Sequence, residues 1–134
     1  RVSALFFLLD TGKARKTDDM VRLFMEKMEQ EGFRKLFIEE FIKFNDNCIR
    51  AFLKGDTKDL FANLRHLSRF AYEFFMPMIP SIFRKLWRQG LDTGTYYLKL
   101  CGAGGGGFIL GFTEDLKKAE TMLKGYKIEV VYRF

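Results

Sequence analysis

Residues 2–9 are almost continuously apolar and run into Asp10-Thr11-Gly12, the pattern of a buried strand entering a turn. A short cationic stretch, Thr11 to Thr17, follows. The period then changes. Thr17 or Asp18 is a candidate cap for a helix whose apolar stripe is Val21, Phe24, Met25 and Met28, punctuated by Gly32. Phe33, Phe37, Phe41, Phe44, Cys48 and Phe52 recur at three- and four-residue steps, which predicts a long amphipathic helix ending near Gly55. Asp56 or Thr57 opens a third helix carrying Leu60, Leu64, Leu67, Ala71 and Phe74, stopped near Pro77. Pro80-Ser81 starts a shorter one through Trp87, with Gly90 as its predicted end and Asp92-Thr93-Gly94 as a turn.

Beyond that turn the pattern becomes strand-like. Tyr96 to Leu100 and Phe108 to Phe112 read as strands on either side of a glycine run, Glu114 to Leu123 as a helix, and Tyr126 to Phe134 as an alternating last strand. The partial segregation of helices and strands predicts an α+β domain over residues 1–134: an antiparallel sheet of about four strands covered by helices, a ferredoxin-like core with extra helices.

Composition supports a real core. The chain has 134 residues, of which 48% are hydrophobic and 16 are phenylalanine, enough for one domain without metal or disulfide support. Its single histidine, His66, lies beside the apolar face of the third helix and reads as structural or surface rather than as a base. Cys48 and Cys101 are far apart and outside any Cys/His cluster, which predicts free thiols, a reducing cytoplasmic setting and no zinc site. No apolar run is long enough for a membrane span. A net charge of +6 comes from Lys and Arg interleaved with 17 acidic residues, so the sequence argues against nucleic acid as the partner and suits a domain that handles polyanionic ligands.

The chemistry concentrates in Lys99-Leu-Cys-Gly-Ala-Gly-Gly-Gly-Gly-Phe108. A glycine backbone approaches an anion closely and reaches positive φ, so Gly102, Ala103, Gly104, Gly105, Gly106 and Gly107 are the candidate phosphate cradle. The string fits G-x-G-x-x-G, but an apolar β-forming run follows it where a dinucleotide fold needs a helix. It also lacks the Lys-Ser/Thr of a Walker loop, since Phe108 and Ile109 stand there. A glycine-rich hairpin without ligand is the plain alternative. Asp10 reads as an Asx turn onto Gly12.

The glycine string resembles the third signature motif of the GHMP small-molecule kinases, with Cys101 where Thr or Ser is frequent. Leu8 to Thr17 is similar to the strand and loop of the mevalonate kinases within that superfamily: Thr11, Arg15 and Thr17 occupy the matching places, and Ala14 replaces a proline. The resemblance implies a C-terminal domain of an ATP- and Mg²⁺-dependent kinase acting on a hydroxyl of a small molecule, most like mevalonate kinase. Phosphomevalonate, galactose or heptose-phosphate kinases, or a non-catalytic nucleotide- or partner-binding module, are the alternatives. It places Gly102 to Gly107 by the nucleotide phosphates and Arg15 and Thr17 on the substrate side. The resemblance also implies that the catalytic aspartate and main nucleotide loop belong to an N-terminal domain, so no catalytic or metal-binding residue is assigned here. With Arg1 in place of an initiating Met, an upstream part is expected, and the fragment alone is expected to be nearly inactive. Apolar surface left open around the glycine loop would favour self-association, for instance as a homodimer.

Overall fold

A computed structural model describes residues 4–12, 17–101 and 107–134, with Thr17 and Asp18 in backbone only. Four strands, β1 (Leu5–Asp10), β2 (Tyr96–Leu100), β3 (Phe108–Thr113) and β4 (Ile128–Arg133), form one sheet in the order β2-β3-β1-β4. Every neighbouring pair is antiparallel. This is the strand order of a ferredoxin-like sheet, as the sequence predicts. The register runs Leu5 opposite Thr113 to Asp10 opposite Phe108, and Tyr96 opposite Thr113 to Leu100 opposite Ile109.

Strand alternation distributes the side chains to two faces. Leu5, Phe7 and Leu9 of β1 are buried on one face, where Leu98 and Ile109 share their register. Helix α5 (Ser81–Thr93) covers this side: the Tyr96 hydroxyl donates to the Leu86 carbonyl. On the other face Phe6 packs against Phe112, Phe134 and Phe52. Phe61 meets Tyr97 and Phe112 there, bringing α4 (Thr57–Phe74) onto the sheet. Because β1 is central and covered on both sides, its sequence is an apolar run rather than an alternating one. Helix α6 (Leu116–Met122), capped by Asp115 accepting from the Lys118 N–H, adds Ala119 to the same core.

A second cluster lies outside the sheet. Met20, Phe70, Phe75 and Met78 are buried together, with Leu23, Phe24, Phe33, Phe37 and Phe41 against them. They come from α1 (Thr17–Met28), α4, residues 75–78 that follow α4, and the long helix, which is continuous over residues 31–54 as α2 (Glu31–Leu36), a π-helical stretch Phe37–Ile42 and α3 (Lys43–Lys54). The periodicity predicts that helix and its end at Gly55, which closes it at φ 70°. It does not predict the π turn, where Phe37 and Phe41 stack at 4.8 Å. Asp56 caps α4 by accepting from the Asp59 N–H at 3.1 Å.

Two expectations are corrected. The stripe of α1 is turned from the predicted one: Met20 is buried and Phe24 packs with it, while Val21 is 45% and Met25 57% exposed. The phenylalanines of the long helix and α4 select that face. Gly90 does not end its helix either. It lies inside α5, where a Cβ would sit 2.5 Å from the Tyr96 carbonyl oxygen, so glycine there permits close helix-to-strand packing. The helix ends at Gly94, with φ 69°.

Candidate functional site

The end of β1 and the end of the glycine run meet. The Thr11 N–H donates to the Gly107 carbonyl at 2.8 Å, and its hydroxyl donates to the same oxygen at 3.0 Å. This extends the β1–β3 pairing past Phe108 and ties the two sequence motifs, far apart in the chain, into one corner of the sheet. Asp10 accepts from the Gly12 N–H at 2.8 Å, the expected Asx turn, and Gly12 has φ 71°. That carboxylate thus turns the chain from the strand into the cationic segment.

Of the predicted site residues, Gly107 is in this corner and Thr17 opens α1. Gly102, Ala103, Gly104, Gly105, Gly106 and Arg15, with Lys13 and Lys16, lie outside the described residues, as does the Thr17 side chain. The flanks of the loop are clear: Leu100 ends β2 and Phe108, 47% exposed, begins β3.

One cavity borders this corner and another lies at the end of β2, and neither is evident from the sequence. One, of about 300 Å³, is lined by Thr11, Ile79, Pro80, Ser81 and Arg84 at the start of α5. The first N–H groups of a helix and its macrodipole favour negative charge, so this cavity suits an anionic group. The other, of about 280 Å³, lies between α1, the π-helical turn, α4 and the end of β2. Met20, Phe24, Phe41, Leu67 and Phe75 make it apolar, and among the described residues Lys99 is the one charged residue in its wall. A π turn inside an α-helix often accompanies a functional site, and here Phe37 and Phe41 of that turn line the cavity. The signals for it were the phenylalanine stripe and Lys99, but the stripe alone does not distinguish cavity lining from core.

The titratable groups nearby have settled roles. Cys48 is buried, and loss of solvation raises its thiol from 9.0 to about 12, against the opposing effect of Lys99. It is a neutral core residue. Cys101, half-buried before the loop, is also a free thiol. His66 stacks on Phe44 at 4.1 Å, and desolvation with Arg69 and Arg65 lowers its pKa, so it is a neutral aromatic on the α4 surface as the sequence suggests. Among the described residues no group of three His, Cys, Asp or Glu could hold a metal, and no helix is long and apolar enough to cross a membrane. Lys99 and Arg84 bring donors and positive charge to the two cavities, which fit phosphate or carboxylate oxygens rather than a cation.

Residues 48–130, more than half of the chain, match the family model described as GHMP kinases C terminal. The chain belongs to this family. Within a GHMP kinase C-terminal domain the sheet, the helices on both of its faces and the glycine hairpin between β2 and β3 form one unit. The crystal structure of a Lin0012 protein from Listeria innocua has the same fold, with a TM-score of 0.74 at 20% identity. The match covers 96% of this chain and 38% of that one, so this GHMP domain spans well under half of its structural relative. No curated protein matches the sequence.

Proposed function

We propose that this domain is the C-terminal part of an ATP-dependent small-molecule kinase that transfers the γ-phosphoryl group to a substrate hydroxyl, with mevalonate as the acceptor. The observation that carries the reading is the double hydrogen bond from Thr11 to Gly107, which brings the strand-end motif and the glycine motif to one corner. Phosphoryl transfer depends mainly on positioning and charge stabilisation. In this reading the N–H groups of Gly102 to Gly107 border the nucleotide phosphates, Arg15 and Thr17 meet the substrate, and Mg²⁺ accompanying ATP spreads the developing negative charge. The apolar cavity with Lys99 at its wall supports a short acid with a hydrocarbon body as acceptor. An N-terminal domain supplies the catalytic groups, and the assembly is cytoplasmic and pairs as a homodimer.

The full-length protein, incubated with ATP and Mg²⁺, is assayed against mevalonate, phosphomevalonate, galactose and heptose phosphates. Phosphorylation of mevalonate above the others supports the reading. Turnover of a different acceptor overturns the mevalonate assignment, and absence of phosphorylation of any acceptor overturns the kinase itself. Residues 1–134 alone are expected to show little or no turnover, and light scattering of the full-length protein tests the homodimer.

A further inference from the structure

Helix α4 carries a second, separate concentration of charge. Lys58, Arg65 and Arg69 project along one side of the helix at helical spacing and, with Phe61, Ala62, His66 and Tyr97, line an open concavity of about 560 Å³. All three cations are exposed, and among the described residues none of them forms an ion pair. That is unusual for a helix surface with acidic residues available, because the like charges raise one another's energy unless an anion joins them. Glu114 acts on Tyr97 and Glu40 on His66, and among the described residues no carboxylate, Glu73 four residues beyond Arg69 included, pairs with any of the three cations.

The floor is aromatic and fixed. Tyr97 is only 4% exposed and its ring lies 4.6 Å from that of Phe61. Burial pushes the Tyr97 hydroxyl pKa up, and the nearby charges of Arg65 and Arg69 oppose that rise. A guanidinium presents paired donors that match phosphate oxygens, and three positive charges match a dianion better than a single carboxylate. The half-buried Phe61 ring provides an apolar surface beside them, with the buried Tyr97 ring packed against it. Tyr97 lies three residues before the end of β2, about 10 Å along the strand from Leu100. The concavity is therefore distinct from the corner formed by Thr11 and Gly107.

We propose that Lys58, Arg65 and Arg69, over the Phe61–Tyr97 floor, form a second binding site for a small phosphorylated molecule with a flat apolar body. The phosphate sits among the cations and the apolar body lies on the rings. Sequence reading spreads these charges over the chain, since their convergence on Tyr97 depends on how α4 docks against the edge strand β2.

The test uses the full-length protein with its Arg side-chain N–H resonances followed by NMR, and phenyl phosphate and inorganic phosphate as probes. The glycine-loop site does not report on Arg65 and Arg69, so failure of this proposal is distinguishable from failure of the kinase reading. Phenyl phosphate is expected to shift both resonances saturably and to bind about tenfold more tightly than inorganic phosphate, a ratio of about 1.4 kcal/mol. The exposed double substitution R65Q/R69Q removes both reporter resonances, so its binding is read by titration calorimetry beside the wild type; it is expected to weaken phenyl phosphate at least about tenfold with the melting temperature unchanged. F61A should reduce the preference for phenyl phosphate over phosphate; if that variant unfolds, F61L serves in its place. Shifts that are absent or do not saturate, or equal binding by R65Q/R69Q, overturn the proposal.

Discussion

The ring of Phe7 occupies the space where a side chain at Gly111 would stand. These residues are directly opposite in the β1–β3 register, and a Cβ at position 111 would overlap Cζ, Cε1 and Cε2 of the ring. Phe7 itself is fully buried, so the ring has nowhere to withdraw. Gly111→Ala is expected to destabilise the domain by about 1–3 kcal/mol through overpacking, read as a lower denaturation midpoint at unchanged slope. The double variant Gly111→Ala with Phe7→Leu should lose less than the sum of the two single changes. Strict additivity would show that the ring is not what excludes a side chain.

Trp87 and Ser68 provide a contrasting pair of substitutions at one contact. The buried Trp87 Nε1–H donates to the Ser68 carbonyl at 2.9 Å and joins α5 to α4, while the buried Ser68 hydroxyl has no partner among the described residues. Trp87→Phe removes the donor and leaves both a smaller ring and an unpaired carbonyl, with an expected loss of about 2–4 kcal/mol. Ser68→Ala removes only the unsatisfied hydroxyl and keeps the carbonyl bond. It is expected to be neutral or to stabilise by up to about 1 kcal/mol, measured by chemical unfolding. A Ser68→Ala loss above about 1 kcal/mol would mean that the hydroxyl has a bonding role in solution.

Local signals account for what the sequence revealed. Asp56 as a cap, Gly55 as a helix end and the Asp10 turn all depend on residues within a few positions of one another. The strand order follows from four strands whose two faces both needed cover. The parts that stayed hidden depend on contacts between distant elements. Gly90 reads as a helix stop until Tyr96 is seen against it. Choosing Met20 over Val21 on α1 requires the Phe70–Phe75 cluster, and the π turn requires Phe37 and Phe41 to face the same neighbours. In the candidate site the glycine string is plain as a motif, yet its bond to Thr11 depends on β1 lying beside β3.

Alkaline pH should weaken the fold through two buried acids. Burial raises the Cys48 thiol from 9.0 to about 12 and the Tyr96 hydroxyl from 10.0 to about 12. Between those values the unfolded chain has released protons that the folded chain retains, so the unfolded state binds fewer and stability falls as pH rises. Unfolding midpoints should therefore decline steadily from about pH 9 upward, and Cys48→Ala should flatten the first part of the decline. The same neutrality predicts that Cys48 resists alkylation in the folded protein and reacts after denaturation. A Cys48→Ala variant with an unchanged pH slope would remove the thiol from this account.

The bond between Thr11 and Gly107 gives the most direct link between fold and activity. Thr11→Val keeps the backbone N–H donation and nearly the same shape but deletes the hydroxyl donor, so a single bond remains on the Gly107 carbonyl. Stability should fall by only about 0.5–1.5 kcal/mol, the net value of one hydrogen bond. Activity should suffer more than stability if this hydroxyl fixes the end of the phosphate loop, since about 1.4 kcal/mol of lost positioning is a tenfold change in rate. On the kinase reading proposed above, kcat/KM for ATP of the full-length protein is expected to drop by about tenfold in Thr11→Val and to recover in Thr11→Ser, which restores the donor. A merely structural threonine would give parallel losses of melting temperature and activity that serine and valine share. Wild-type kinetics in Thr11→Val would show that the loop end is held by the strand pairing alone.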